Sequence, residues 1–164
     1  VPDVGRGQEI LIKDTIKAYQ EAAGMAAELK PDTIVVISPH AVMYADYFHV
    51  SPGKEARGDF GRFMAPQIGV EAGYDEAFVR ELDRLCGDDG FPMGTEGERE
   101  KELDHGTLVP LYFIKPALQD YKLVRIGGSG TVLCRPLPGR TLHCQGGRES
   151  GAQCIHCGQR GFVP

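Results

Sequence analysis

The apolar positions of this chain fall into a few blocks whose spacing switches between helical and strand-like. Over residues 8–30, Ile12, Ile16, Tyr19, Ala23 and Ala26 recur at intervals of four and three, the stripe of a helix with one face on a core. Lys13, Lys17, Glu21 and Glu28 lie off that stripe and read as a solvated surface. Pro31 prevents continuation, and Ile34-Val35-Val36-Ile37 follows as an unbroken β-branched run. Such a run predicts a strand buried on both faces. Ser38-Pro39-His40 closes it, because proline donates nothing to a ladder. His40 therefore falls at the carboxyl end of the strand, where open α/β sheets place their ligand crevices.

Residues 41–63 (AVMYADYFHVSPGKEARGDFGRF) show neither period and read as one long polar-aromatic loop. Its Tyr44, Tyr47, Phe48 and His49 either line a pocket for a planar ligand or cover an edge of the core. A second helix begins near Tyr74, with Asp75 as its cap, Phe78, Leu82 and Leu85 as its stripe and Gly87 as its stop. Cys86 on its last turn reads as a small buried hydrophobe. After a glycine-containing loop over 90–102, the segment ELDHGTLVPLYFI sets Asp104 and His105 ahead of Gly106 and an apolar block that Pro110 opens as a helix. Gly106 permits close backbone approach or an unusual dihedral, so His105 projects from a tight junction. YKLVRI over 121–126 is a second β-rich run. The glycines at 127, 128 and 130 lack the spacing and the Lys-Ser/Thr pair of a phosphate loop. Helices alternating with buried runs predict an α/β fold: a three-layer αβα arrangement with a mostly parallel central sheet.

With 164 residues, 41% hydrophobic and 25% charged, the chain suits a single globular core. A net charge of −5 offers no basic surface to nucleic acid or an anionic membrane. No apolar run approaches spanning length and no signal pattern opens the chain, so the expectation is a cytoplasmic protein. The start at Val1, without methionine, suggests that an upstream segment is missing.

Charge and cysteine divide the chain near Gly130. Residues 1–130 carry a net −8 with Cys86 alone, whereas 131–164 carry +3 with Cys134, Cys144, Cys154 and Cys157. The tail has two readings. Cys154 and Cys157 form a C-x-x-C that His143, His156, Cys134 or Cys144 would complete as a zinc site, though no second paired knuckle is present. Otherwise it is a disordered Cys/Arg/Gly-rich end with exposed thiols. Reading the tail one base later, with permitted codons, turns 131–138 into LSFADHYR and 153–164 into SAFIAASGDLSH, which motivates the expectation of a frameshift near residue 130.

Two motifs carry a resemblance. SPHAVMYADYFHVSPG (38–53) with ELDHGTLVPLYFI (102–114), preceded by VPDVGRGQE (1–9), resembles the LigB-type catalytic domain of class III extradiol ring-cleavage dioxygenases. The resemblance covers residues 1 to about 130 and is nearest to the bacterial branch grouped with AmmeMemoRadiSam proteins. It implies a ferrous ion, Fe(2+), held by two histidines and a carboxylate, with open positions for a catechol-type aromatic substrate and dioxygen. By match to the motifs, His40 would be one metal ligand and His105 a catalytic histidine of the pocket that contacts dioxygen or substrate. His49 matches no role. The shifted-frame string SGDLSH resembles the family segment whose histidine is the acid-base residue.

In relatives the first iron histidine precedes the equivalent of Val1 and the carboxylate follows the equivalent of Pro164. The expectation is therefore a domain truncated at both ends and inactive as it stands, with unpaired strand edges and poor solubility. The resemblance also admits a non-oxygenase use of the same fold, as a metal-dependent or purely binding member of a protein-modification system with a fused or associated AmmeMemoRadiSam partner.

Overall fold

Among the described residues, four strands make the main sheet in the order β1-β6-β4-β3, where β1 is Thr33–Ser38, β3 Glu55–Phe60, β4 Ala65–Tyr74 and β6 Lys122–Gly127. A two-stranded sheet pairs β2 (Phe48–His49) with β5 (Met93–Gly94). The helices are α1 (Pro2–Gly5), α2 (Lys13–Leu29), α3 (Glu76–Asp89) and α4 (His105–Ile114). This is a computed structural model that describes residues 1–130; the zinc, disorder and frameshift readings of the tail lie outside the described residues.

The three-layer, mostly parallel α/β architecture is present. β1 and β4 run parallel to β6, and only β3 is antiparallel to its neighbour β4. Because successive side chains on a strand point to opposite faces, β6 serves two cores. Leu123 joins Leu108 and Leu111 of α4 on one side, while Val124 and Ile126 meet Val79 of α3 on the other. α2 packs outside α4, with Tyr19 stacked on Phe113 at 5.0 Å.

The structure corrects several expectations. β1 is not buried on both faces: it is an edge strand, with Val35 45% and Ile37 69% exposed. Among the described residues its one ladder partner is β6, and only the Val36 side turns toward the core beneath α4. The dry central strand is β6.

The long loop over 41–63 contains strands. Glu55–Phe60 pairs with β4 as an antiparallel hairpin, with a register shift between Asp59 and Phe60. Its buried positions are Ala56 and Phe60, set among charged residues and a glycine, so the period of two carries little hydrophobic signal. Gly58 is needed there, since a Cβ would stand 2.7 Å from the Leu103 carbonyl oxygen.

Regular α-helix starts at Lys13 rather than residue 8, preceded by a tight 3-10 segment, Gln8–Ile12. In α3, Asp75 does cap, accepting from the Phe78 N–H at 3.0 Å, and Cys86 is buried. The inward stripe is Val79, Leu82 and Cys86, whereas Phe78 and Leu85 are 43% and 47% exposed. Both stripes share Leu82 and fit a helical period, so packing on β6 chooses between them. The helix also outruns Gly87 to a left-handed cap at Gly90. Finally, α4 begins at His105, and Pro110 sits inside it. Asp104 supplies the start signal by capping.

Candidate active site

The end of β1 and the start of α4 are joined by one carboxylate. Asp104 Oδ1 accepts from the Ser38 hydroxyl at 2.5 Å and from the Thr107 N–H at 3.1 Å, and its Oδ2 accepts from the Thr107 hydroxyl at 2.9 Å. Ser38 Oγ in turn accepts from the His40 N–H at 3.2 Å. Partial burial pushes the Asp104 carboxyl up, yet these hydrogen bonds and the nearby Arg125 charge outweigh it and leave it below the ordinary carboxylate range. An ionised cap also complements the positive end of the α4 dipole.

This clamp brings two imidazoles together. His40 follows the carboxyl end of β1, His105 opens α4, and their ring centroids are 4.1 Å apart at an interplanar angle of 35°. Gly106 makes the approach feasible, because a Cβ there would lie 2.6 Å from Ser38 Oγ and 2.8 Å from His40 Cδ2. The close approach inferred from that glycine is thus present. Phe63, just before the β3–β4 turn closes, sets its ring edge-on to His105 at 5.6 Å.

Both imidazoles line a cleft of about 370 Å³ together with Asp59, Arg62, Phe63 and residues 100–104. Its size falls in the range of small-ligand sites. A larger hollow of about 800 Å³ opens beside Arg57, Glu71 and Lys115, but no imidazole or thiol lines it. Reactive side chains converge in the smaller one.

His49 stands elsewhere. It is 5% exposed, its ring lies 5.5 Å from that of Tyr44, and its Nε2 has no hydrogen-bond partner among the described residues. Burial, and then the Arg125 charge, lower its pKa below the ordinary 6.5. Tyr44 and Tyr47 do not line the histidine cleft. The Tyr44 hydroxyl donates to the Gly97 carbonyl, the Tyr47 hydroxyl accepts from the Glu96 N–H at 3.2 Å, and Arg99 lies over the Tyr44 ring at 5.1 Å. They fasten the segment that leads into α4.

Asp59, Arg62 and Phe63 escaped the sequence reading because the β3–β4 hairpin did. Arg125 escaped it as well, although a cation set between Val124 and Ile126 in the run YKLVRI was a usable signal. A ferrous centre of two histidines and a carboxylate needs three converging donors. Among the described residues no group of three His, Cys, Asp or Glu converges, and the Asp104 carboxylate is occupied in capping. These residues alone do not complete an iron site.

The fold is that of an α/β domain, and the paired histidines make a candidate site beyond the carboxyl end of β1. The chain belongs to the family described as the catalytic LigB subunit of aromatic ring-opening dioxygenases, whose sequence pattern matches residues 1–142. It is similar to Protein CA_C1420 of Clostridium acetobutylicum, 35% identical over 133 residues, which takes in 77% of this chain and 28% of that protein. The chain thus spans less than a third of that relative's length. Among the described residues, no helix is long and apolar enough to cross a membrane.

Proposed function

We propose that the His40–His105 cleft binds a catechol-type aromatic ring and is the ring-opening site of a LigB-type, non-haem-iron dioxygenase domain. The observation that carries this reading is the convergence of the two imidazoles at 4.1 Å in one cleft, with Phe63 edge-on beside them. His40 would offer one nitrogen to Fe(2+), as the family's chemistry asks. His105, beside it in the same cleft, would contact the bound substrate or dioxygen. Phe63 supplies an apolar wall for a planar ligand.

The test is a titration of catechol onto the protein, followed by the ring-proton NMR signals of His40 and His105, with oxygen uptake measured on a longer, iron-loaded form that carries a full set of metal ligands. Both imidazoles are expected to shift, and His105→Ala to weaken binding by about tenfold, the worth of one hydrogen bond. Catechol that shifts neither ring sinks the proposal. Catechol bound without oxygen uptake in that longer, iron-loaded form points instead to the non-oxygenase use of this fold, in a protein-modification system alongside an AmmeMemoRadiSam partner.

A further inference from the structure

Arg125 is the only arginine or lysine buried below one tenth exposure among the described residues, at 4%. It lies on β6 two residues after Leu123, hence on the same face, the one covered by α4 and the segment that leads into it. A guanidinium taken out of water is costly unless its donors are met, and here each nitrogen finds an acceptor. Nε donates to Ser51 Oγ at 2.7 Å, one terminal nitrogen to the Glu102 carbonyl at 2.7 Å, and the other to the Glu100 carbonyl at 2.7 Å. The carboxylate of Glu98, itself 13% exposed, stands 3.9 Å away as countercharge.

Two of the three hydrogen bonds therefore go to main-chain carbonyls of one short strap, residues 98–104. That strap has another anchor on the far side, where the Leu103 N–H donates to the Arg57 carbonyl at 2.8 Å across the gap left by Gly58. Residues 100–104 of the strap form a wall of the histidine cleft, and the strap ends at Asp104, the cap from which His105 projects.

We propose that Arg125 is a positioning residue of this cleft: its rigid fork holds the strap against β6 and so sets where α4 begins and where His105 meets His40. It touches neither imidazole and acts through the strap alone. The arrangement requires the fork and not merely the charge, because a lysine ammonium cannot reach two carbonyls and Ser51 in one plane. The Arg125 charge also helps to keep Asp104 ionised, which strengthens the same cap. The inference rests on the reading of the cleft as an aromatic site only for its consequence on ligand binding.

The test compares Arg125→Gln and Arg125→Lys with the parent protein. Three quantities are read: amide exchange of the strap, the NOE between the His40 and His105 rings, and catechol affinity. In both variants the Leu103 amide is expected to exchange faster by about tenfold or more, as befits carbonyls left without donors. The ring-to-ring NOE is expected to fade and catechol affinity to drop by a similar factor, while Val79 in α3 exchanges at its parent rate. Lysine failing to rescue distinguishes the fork from the charge. An unchanged strap and NOE in Arg125→Gln overturn the proposal whatever catechol does. A full rescue by Arg125→Lys overturns the fork. Should Arg125→Gln lose its cooperative melt, Ser51→Ala, which removes one acceptor, decides: faster strap exchange supports the proposal, and an unaltered strap refutes it. A parent protein that ignores catechol refutes the aromatic-site reading and leaves the exchange and NOE results standing.

Discussion

β1 and β6 lie side by side in register, from Thr33 opposite Lys122 to Ser38 opposite Gly127, and both are rich in β-branched residues. They differ in what surrounds them. β6 has β1 on one edge and β4 on the other, with Leu123 and Val124 at 0% exposure on opposite faces. Among the described residues β1 has one neighbour; Val35 and Ile37 face outward, and only Ser38, at 1%, is fully covered. The difference teaches that a strand's burial belongs to its place in the sheet order and not to its composition. It also sorts the work: β6 is dry on both faces and buries Arg125, whereas β1 is open on one face and clamped through Ser38 at the end that presents His40.

The sharpest test sets equivalent truncations on the two strands against each other. Leu123→Ala is expected to cost about 2–5 kcal/mol in urea unfolding, and Ile37→Ala less than about 0.5 kcal/mol. Equal losses would mean that the outer face of β1 is covered in solution. Gly106→Ala tests the pinned end of β1 by forcing a methyl against Ser38 and His40; the overpacking is expected to cost about 1–3 kcal/mol and to part the two rings, visible as loss of their NOE. Asp104→Ala removes the clamp itself, at about 1–2 kcal/mol for a helix cap. If its midpoint equals that of the parent, the carboxylate does not tie β1 to α4.

A pH series probes the dry side. His49 has a folded pKa below its ordinary 6.5, lowered by burial and then by Arg125 on β6. The unfolded chain therefore binds the proton more readily, so this contribution is complete above the ordinary value and is lost as pH falls through the folded pKa. Urea midpoints should decline on acidification below 6.5, and His49→Phe should flatten that part of the profile; a profile that His49→Phe leaves unchanged contradicts the burial argument. The smallest effect on stability is expected for Ile37→Lys, which should leave the midpoint in place and raise the soluble concentration by blocking edge pairing. No gain in solubility would show that β1 is not the aggregating edge.

Much of the architecture was legible because it rests on strong local signals. The β-branched run of β1, the YKLVRI run of β6, the Asp75 cap and the apolar block of α4 each announce an element through chemistry confined to a few neighbouring residues. The β3–β4 hairpin did not announce itself, since Ala56, Gly58 and Phe60 give a faint alternation among charges. In the candidate cleft, His40 and His105 are the residues to which motif and position at element ends point. Phe63, Arg62 and the strap were not, because no local pattern says that a hairpin and the approach to a helix will share a cleft.

By itself, the chain's order of residues determined that α2, β1, α3, α4 and β6 form, that His40 follows the end of a strand, and that Gly106 admits a close neighbour. These follow from sterics and hydrogen bonding within a few residues. Only the tertiary structure decided that β1 is an edge and β6 the centre, which stripe of α3 turns inward, and that a buried guanidinium on β6 grips the strap before His105. Each of those depends on contacts between residues far apart in the chain, where the free energy of burial is settled by partners that a local pattern does not name.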